Sequence, residues 1–494
     1  MGNDAPHMSK VATPTPSSVA LTPENTWFGH PKGLFVLFFT EMWERFSYYG
    51  MRGLMKLYMV NYLFVASRQI IQGGEAVGTG DPMMVIGWET VRNLINSDPS
   101  TSPGAYASVI YGWYTGLVYL TPVLGGWLAD KYLGQRKTVF LGGVLMAIGH
   151  FVMAFENWFF LALAFLIVGN GAFKPNISTQ VGNLYPEGDP RRDGAFTIFY
   201  MGINLGAFLT NLVCGTLAAT LGWHYGFGAA GVGMVIGLVI YALGQKHLAP
   251  DTLSVAKAAA KEDSSAVTQQ KLSSDEWKRV WALVAICALN VVFWAVYEQQ
   301  GNTMQTWADE RTQWPVLFGW EMPATWFQSF NPLFIFMLAP LLDLFWAWQA
   351  RAGKEPTSVG KMAIGSTILG LSFIVMVIGA NVMGEEKGSW FWPVFCTLLL
   401  TVGELYLSPI SLSLVTKVSP ARIVSLMMGF MFLSSFAGNI LSGYIGILFE
   451  EKIFSAEQFF WFLTLLGVIT GLAMFAFKKP LNRVISGVKE SAAS

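Results

Sequence analysis

The chain has 494 residues, with 31 Lys plus Arg against 31 Asp plus Glu, and is 53% hydrophobic but only 13% charged. A water-facing surface needs about a quarter of its residues charged, so this deficit, with a mean hydropathy of +0.45, makes lipid the expected outer solvent. Zero net charge argues against a polyanion such as nucleic acid as partner. The three cysteines, Cys214, Cys287 and Cys396, lie in apolar segments without metal-ligand spacing and are expected to be buried small residues.

Residues 1–33 read as a tail. The first 26 are rich in Pro, Ser and Thr, with no apolar run before Trp27, so no cleaved leader is expected. Pro6 stands where an N-myristoylation signal needs Ser or Thr. Apolar stretches of spanning length then lie near 34–64, 106–129, 138–155, 158–180, 196–219 and 224–246. A second set lies near 280–304, 325–349, 361–383, 389–416, 423–449 and 457–477. Each can cross a core about 30 Å thick at about 1.5 Å per residue. The expected organisation is an all-α membrane protein of twelve transmembrane helices. A six-helix bundle over 34–247 and another over 280–478 are joined by the linker 248–279, with a tail over 479–494. The linker contains KAAAKEDSSAVTQQKLSSDEWKR and is too polar to hold an extra helix pair.

If both termini are cytoplasmic, 22 of the 31 basic residues fall in inner segments and five in outer loops, the other four lying inside spans. That asymmetry is a positive-inside pattern. Residues 65–105 form a long outer loop, in which PMMVIGWETVRNLI reads as a short amphipathic helix at the interface.

An ionised group at mid-bilayer costs roughly 2.5–3.5 kcal/mol even on a lenient scale, so charges inside spans should face a wet cavity or one another. The first span carries TEMWERFSYYGMRGLMK. At about 100° per residue, Glu41, Arg45, Tyr48, Arg52 and Lys56 share one stripe, with Glu44 and Tyr49 on its shoulders. Elsewhere such groups are sparse: Lys174 with Asn170, Tyr200 with Asn204, Glu298 after Trp294, Gln328 with Asn331, and Glu404 with Ser408 and Ser411. The first half thus supplies Arg45, Arg52 and Lys174, and the second supplies Glu298 and Glu404. A cavity between them is positive on one wall and negative on the other. That suits a zwitterion with separated ends, its carboxylate towards Arg45 and Lys174 and its ammonium towards Glu404, while Tyr48, Tyr49, Tyr119 and Trp294 line apolar pockets. Arg52 and Glu298 each lie about 18 residues into equivalent spans, a depth at which they meet near the outer mouth and can act as a gate pair.

These residues resemble a known family. Glu41-x-x-Glu44-Arg45-Phe46-x-Tyr48-Tyr49-Gly50 is similar to the signature of the proton-dependent oligopeptide transporter (POT) family of the major facilitator superfamily, as are GNGAFKPN, FYMGINLGAF and GELYLSPISLS. GGWLADKYLGQRK resembles the superfamily's inner-loop motif. The resemblance implies a proton-coupled symporter importing di- and tripeptides by alternating access, a monomer in the bacterial inner membrane, with protons as coupling ion and no cofactor, metal or enzymatic activity. It also implies that Glu41, Glu44 and Arg45, with Glu298, couple protons and that Lys174 pairs with Glu44. Arg45 and Lys174 would hold the peptide carboxylate, Glu404 its amino end beside Ser408, and Asn204 and Asn331 its backbone. Met431 stands where the family carries a Trp, and the second span has no histidine, which leaves proton handling to carboxylates. A same-fold carrier of nitrate or a peptide-like drug, or a non-transporting peptide sensor, is the alternative.

Overall fold

The computed structural model describes residues 26–64, 85–95, 101–186, 189–251, 253, 272–317, 319–420 and 423–491. The 65–84 part of the long loop and most of the 248–279 linker lie outside these. Helices dominate: α1 (Lys32–Tyr58), α2 (Trp88–Ile95), α3 (Pro103–Leu128), α4 (Gln135–Val152), α5 (Phe159–Asn183), α6 (Arg191–Leu221), α7 (Trp223–Gly244), α8 (Ser274–Tyr297), α9 (Thr303–Glu310), α10 (Phe330–Arg351), α11 (Ser358–Met383), α12 (Phe391–Val418), α13 (Val424–Glu450) and α14 (Ala456–Ser491). Among the described residues, the sheet is confined to three two-residue strand pairs.

Among the described residues, nine helical stretches are long and apolar enough to cross a membrane: α5 to α8, the last running on through α9, and α10 to α14. Their outward faces carry exposed Leu341, Leu344, Val382 and Leu472, as a lipid-facing surface requires. Three more helices, α1, α3 and α4, have 27, 26 and 18 residues. Their hydropathy is diluted by the charges of α1, the Gly, Tyr and Trp of α3, and the Gln-Arg-Lys opening of α4.

Local sequence explains the helix starts. Ser102 caps α3, accepting from Ala105 N at 3.2 Å, with Pro103 at the first helical position. Ser273 and Glu276 form a reciprocal capping box on α8 (3.2 and 2.7 Å). α3 runs into a π-helical turn, Ala129–Leu133, and stops at Gly134, whose φ of 80° favours glycine. The Asp251 carboxylate then caps α4 through Gln135 N (3.0 Å) and Arg136 N (3.2 Å), while Arg136 donates to Leu248 O and Ala249 O. The inner-loop motif is therefore clamped to the start of the linker.

Two apolar cores exist, one from Leu34 to Leu248 and the other from Val280 to Met474. Packing repeats between them: α1 lies on α6 as α8 lies on α13, and α4 on α5 as α11 on α12. The halves touch through α3 with α13 and α6 with α10. Close approach of α3 and α13 depends on glycine: a Cβ on Gly112 would lie 2.7 Å from Asn439 O and 2.9 Å from Gly443 Cα. Of the long loop, α2 is described; its Trp88 is buried between Phe64 and Tyr106. All three cysteines are buried and unpaired.

Candidate functional site: a charged cavity between the halves

The end of the bundle where α1 finishes and α3 begins is called distal here, and the opposite end, near Lys32, proximal. Between the halves lies a cavity of about 270 Å³, close to the lower end of the roughly 300–1,000 Å³ of small-molecule clefts. α1 contributes Glu41, Arg45, Tyr49 and Arg52 at helical spacing; α3 gives Tyr119, α5 Lys174, and α6 Asn204. From the other half come Trp294 and Glu298, Asn331 at the start of α10, and Glu404 and Ser408 on α12. Two residues of the α1 motif stay behind this wall. Glu44 is fully buried, and Tyr48 is 4% exposed with the Arg45 guanidinium 5.2 Å from its ring centre.

Arg45 sits between two carboxylates: its Nε is 3.1 Å from Glu41 Oε1 and also donates to Glu44 Oε2. Asn170 Nδ2 donates to Glu44 Oε1 at 3.0 Å. Arg45 Nη2 and Glu41 Oε2 are buried without a hydrogen-bond partner among the described residues, a state that buried polar atoms seldom keep. Lys174 does not reach Glu44 within ion-pair distance. Its Nζ instead lies 4.8 Å from the centre of the Tyr119 ring, a cation–π position from which the ammonium still borders the cavity.

On the opposite wall Glu404 has no ion pair among the described residues; Asn331 Nδ2 orients it, donating to Glu404 Oε2 at 3.0 Å and to Thr401 Oγ1 at 3.1 Å. Pro175 and Pro409 lie inside α5 and α12, one residue beyond Lys174 and five beyond Glu404, so each charge is near a point where the helix lacks a backbone hydrogen bond.

At the distal end of the cavity Arg52 Nη2 donates to Glu298 Oε2, and Arg52 Nε donates to Tyr111 OH at 2.7 Å. Beyond this pair lies another inter-half contact, for which the sequence carries no signal of the partner. Lys56, on the same stripe of α1, is completely buried; it pairs with Glu450 of α13 at 2.9 Å and donates to Ser108 Oγ (2.5 Å) and Gly104 O (3.0 Å). Asn61 Nδ2 to Asp309 (2.7 Å) and Ser102 N to Glu451 (2.6 Å) lie on the same side. The distal end is thus bolted shut.

Tyr200, Asn211, Tyr297, Gln300 and Gln328 also line the cavity. Asn211 follows Asn204 by seven residues, two helical turns, and could have been found from that spacing. Gln300 stands in the 3₁₀ turn Glu298–Gln300 beyond α8, where helical periodicity gives no signal. Met431 is buried and accepts from Asn290 Nδ2 at 3.4 Å, away from the cavity lining.

Two helical bundles enclosing a charged cavity, closed at one end by ion pairs, define a membrane transporter. A profile of the POT family matches residues 136–253 and 247–462. The chain is 34% identical to the uncharacterized transporter YclF of Bacillus subtilis, over 96% of this chain and 98% of that one. It is also 34% identical to the peptide transporter YePEPT of Yersinia enterocolitica (85% and 88%) and 30% identical to a di-/tripeptide transporter of Lactococcus lactis (94% and 99%). Among solved structures it is similar to a peptide transporter POT in complex with alafosfalin, with a TM-score of 0.77, 32% identity and coverage of 94% and 97%. The chain belongs to the POT family.

Proposed function

We propose that this chain is a proton-coupled symporter that carries di- and tripeptides into the cell by alternating access. The observation that carries the reading is the split of charge across one small cavity. Arg45 with a free Nη2, and Lys174, face Glu404, which lacks a cation partner. An extended peptide of two or three residues spans roughly 7–11 Å and brings a carboxylate and an ammonium to opposite walls. Charge counting supplies the coupling. Glu41 and Glu44 balance Arg45 and Lys174; an arriving carboxylate leaves the cluster one negative charge in surplus, which one proton removes. Arg52 and Glu298 form the outer gate pair in this scheme.

The same reading takes α1, α3 and α4 as spans beside the nine apolar ones, giving twelve without an extra helix pair. The bundles extend over 34–247 and 280–478, joined by the linker 248–279 and flanked by the tails 1–33 and 479–494. The excess of basic residues at the proximal end supports a cytoplasmic position for that end and both termini, with the distal end outside; the bacterial inner membrane is the location this reading takes from the bacterial relatives. The closed distal end then excludes the outward-open side of the cycle.

Calorimetric titration of purified protein tests the zwitterion requirement. Dialanine is expected to bind, whereas N-acetyl-dialanine and dialanine amide, each lacking one charged end, bind at least about tenfold more weakly. Equal affinity for all three contradicts the assignment of the walls.

A further inference from the structure

One flank of the cavity is lined by amides rather than charges. Asn204, Ala207 and Asn211 recur at helical spacing on the cavity face of α6. Asn211 is 2% exposed, and its Oδ1 has no hydrogen-bond partner. Gln300, 6% exposed, borders the same space with an unmatched Nε2. Buried amide atoms are seldom left unmatched, because each forfeits its hydrogen bonds to water. Here one acceptor and one donor, on two residues that line one small cavity, are left without a partner among the described residues.

The surroundings hold both in place without satisfying them. Gln328 Nε2 donates to the backbone Gln300 O (3.1 Å) and to Gln305 Oε1 (2.7 Å), and Gln305 Nε2 donates to Ala324 O (3.2 Å). This chain fixes the turn but uses no atom of the Gln300 side chain. Opposite Asn211 stands Gly53, where a Cβ would lie 2.2 Å from Asn211 Oδ1; the missing side chain is what gives Asn211 its position.

We propose that Asn211 and Gln300 form a side-chain subsite for an uncharged hydrogen-bonding group, a primary carboxamide above all. Its N–H donates to Asn211 Oδ1 while its carbonyl accepts from Gln300 Nε2. The inference rests on the peptide-carrying function proposed above and adds to it a preference. Gln328, which fixes Gln300, is followed one turn later by Asn331, which holds Glu404. The subsite therefore adjoins the amino-terminal anchor and reads the side chain of the first residue. An apolar isostere fills the same volume but leaves both protein atoms unmatched.

The test is competition against uptake of labelled dialanine by reconstituted protein. Asn-Ala is compared with its isostere Leu-Ala, and Ala-Asn with Ala-Leu as the control for position. Wild type is expected to favour Asn-Ala over Leu-Ala by about tenfold or more, with a smaller ratio for the reversed pair. Asn211→Leu and Gln300→Met should each bring the Asn-Ala to Leu-Ala ratio towards one; if one variant does not fold, the other and the wild-type ratio still decide. Equal competition by Asn-Ala and Leu-Ala in wild type overturns the subsite, as does a ratio that both variants leave intact. A preference confined to Ala-Asn overturns the assignment to the first residue. Absence of dialanine uptake by folded wild type overturns the parent reading, and the subsite falls with it.

Discussion

Arg45 has to serve two masters, and the numbers of charges around it set the behaviour of the site. While Glu41 and Glu44 are both ionised they occupy its Nε, leaving Nη2 for a ligand. Glu44→Gln keeps the shape and removes one of the charges that a proton must neutralise. It is expected to abolish gradient-driven accumulation, by at least about tenfold, while peptide exchange at equal pH continues; undiminished uphill uptake by the variant would refute the role. Glu404→Ala removes a charge-assisted hydrogen bond of about 1.5–3 kcal/mol, so peptides with a free amino end should bind roughly ten- to hundredfold more weakly. N-blocked peptides should lose nothing, and an equal loss for both would show that Glu404 does something else. The stripe on α1 was legible because a 3.6-residue period gives the azimuth of each side chain. What packs at each depth was not legible. Periodicity placed Tyr48 and Lys56 with the cavity residues, yet Tyr48 stacks beneath Arg45 and Lys56 passes beyond the cavity into the α3–α13 contact. The contact of Lys174 with Tyr119 was equally hidden, since a single chain does not show which helix faces α5.

At the scale of elements, the distal closure joins two kinds of contact. Glycines let α3 and α13 approach, and a buried ion pair, Lys56 with Glu450, fastens them. Removing one partner of a buried pair costs about 3–5 kcal/mol, whereas removing both is often neutral. Lys56→Met is therefore expected to shift the population towards the distal-open state by about a hundredfold or more, and Lys56→Met with Glu450→Leu should shift it back. Spin-label distances across the distal mouth read this directly; a single variant that stays closed would show that the glycine contact suffices. The sequence was a good guide to where helices lie. The apolar stretch read at 423–449 is matched by α13 at Val424–Glu450, and that at 361–383 by α11 at Ser358–Met383. Length and hydropathy carry that information. They do not carry the Asp251 clamp on α4, because a cap contributed from more than a hundred residues away leaves no local signal.

For the whole molecule, transport requires both ends to alternate around one site. The inter-half polar contacts of Arg52, Lys56, Asn61 and Ser102 gather at the distal end, and α5 and α12 carry prolines near Lys174 and Glu404, the charges proposed to meet the ligand. Peptide and proton arriving together from the distal side would have to break Arg52 from Glu298, and their release on the proximal side would let the pair re-form. Coupling of this kind makes uptake depend on the gradient and not on acidity alone. The most direct measurement is accumulation of labelled dialanine in proteoliposomes holding the wild-type protein, with and without an inward proton gradient, challenged by excess unlabelled tripeptide. A proton-coupled symporter concentrates dialanine above the external level only when the gradient is present, and this accumulation is abolished by an uncoupler and blocked by the tripeptide. Accumulation that is indifferent to the gradient, or that the tripeptide leaves untouched, would contradict proton-coupled peptide symport.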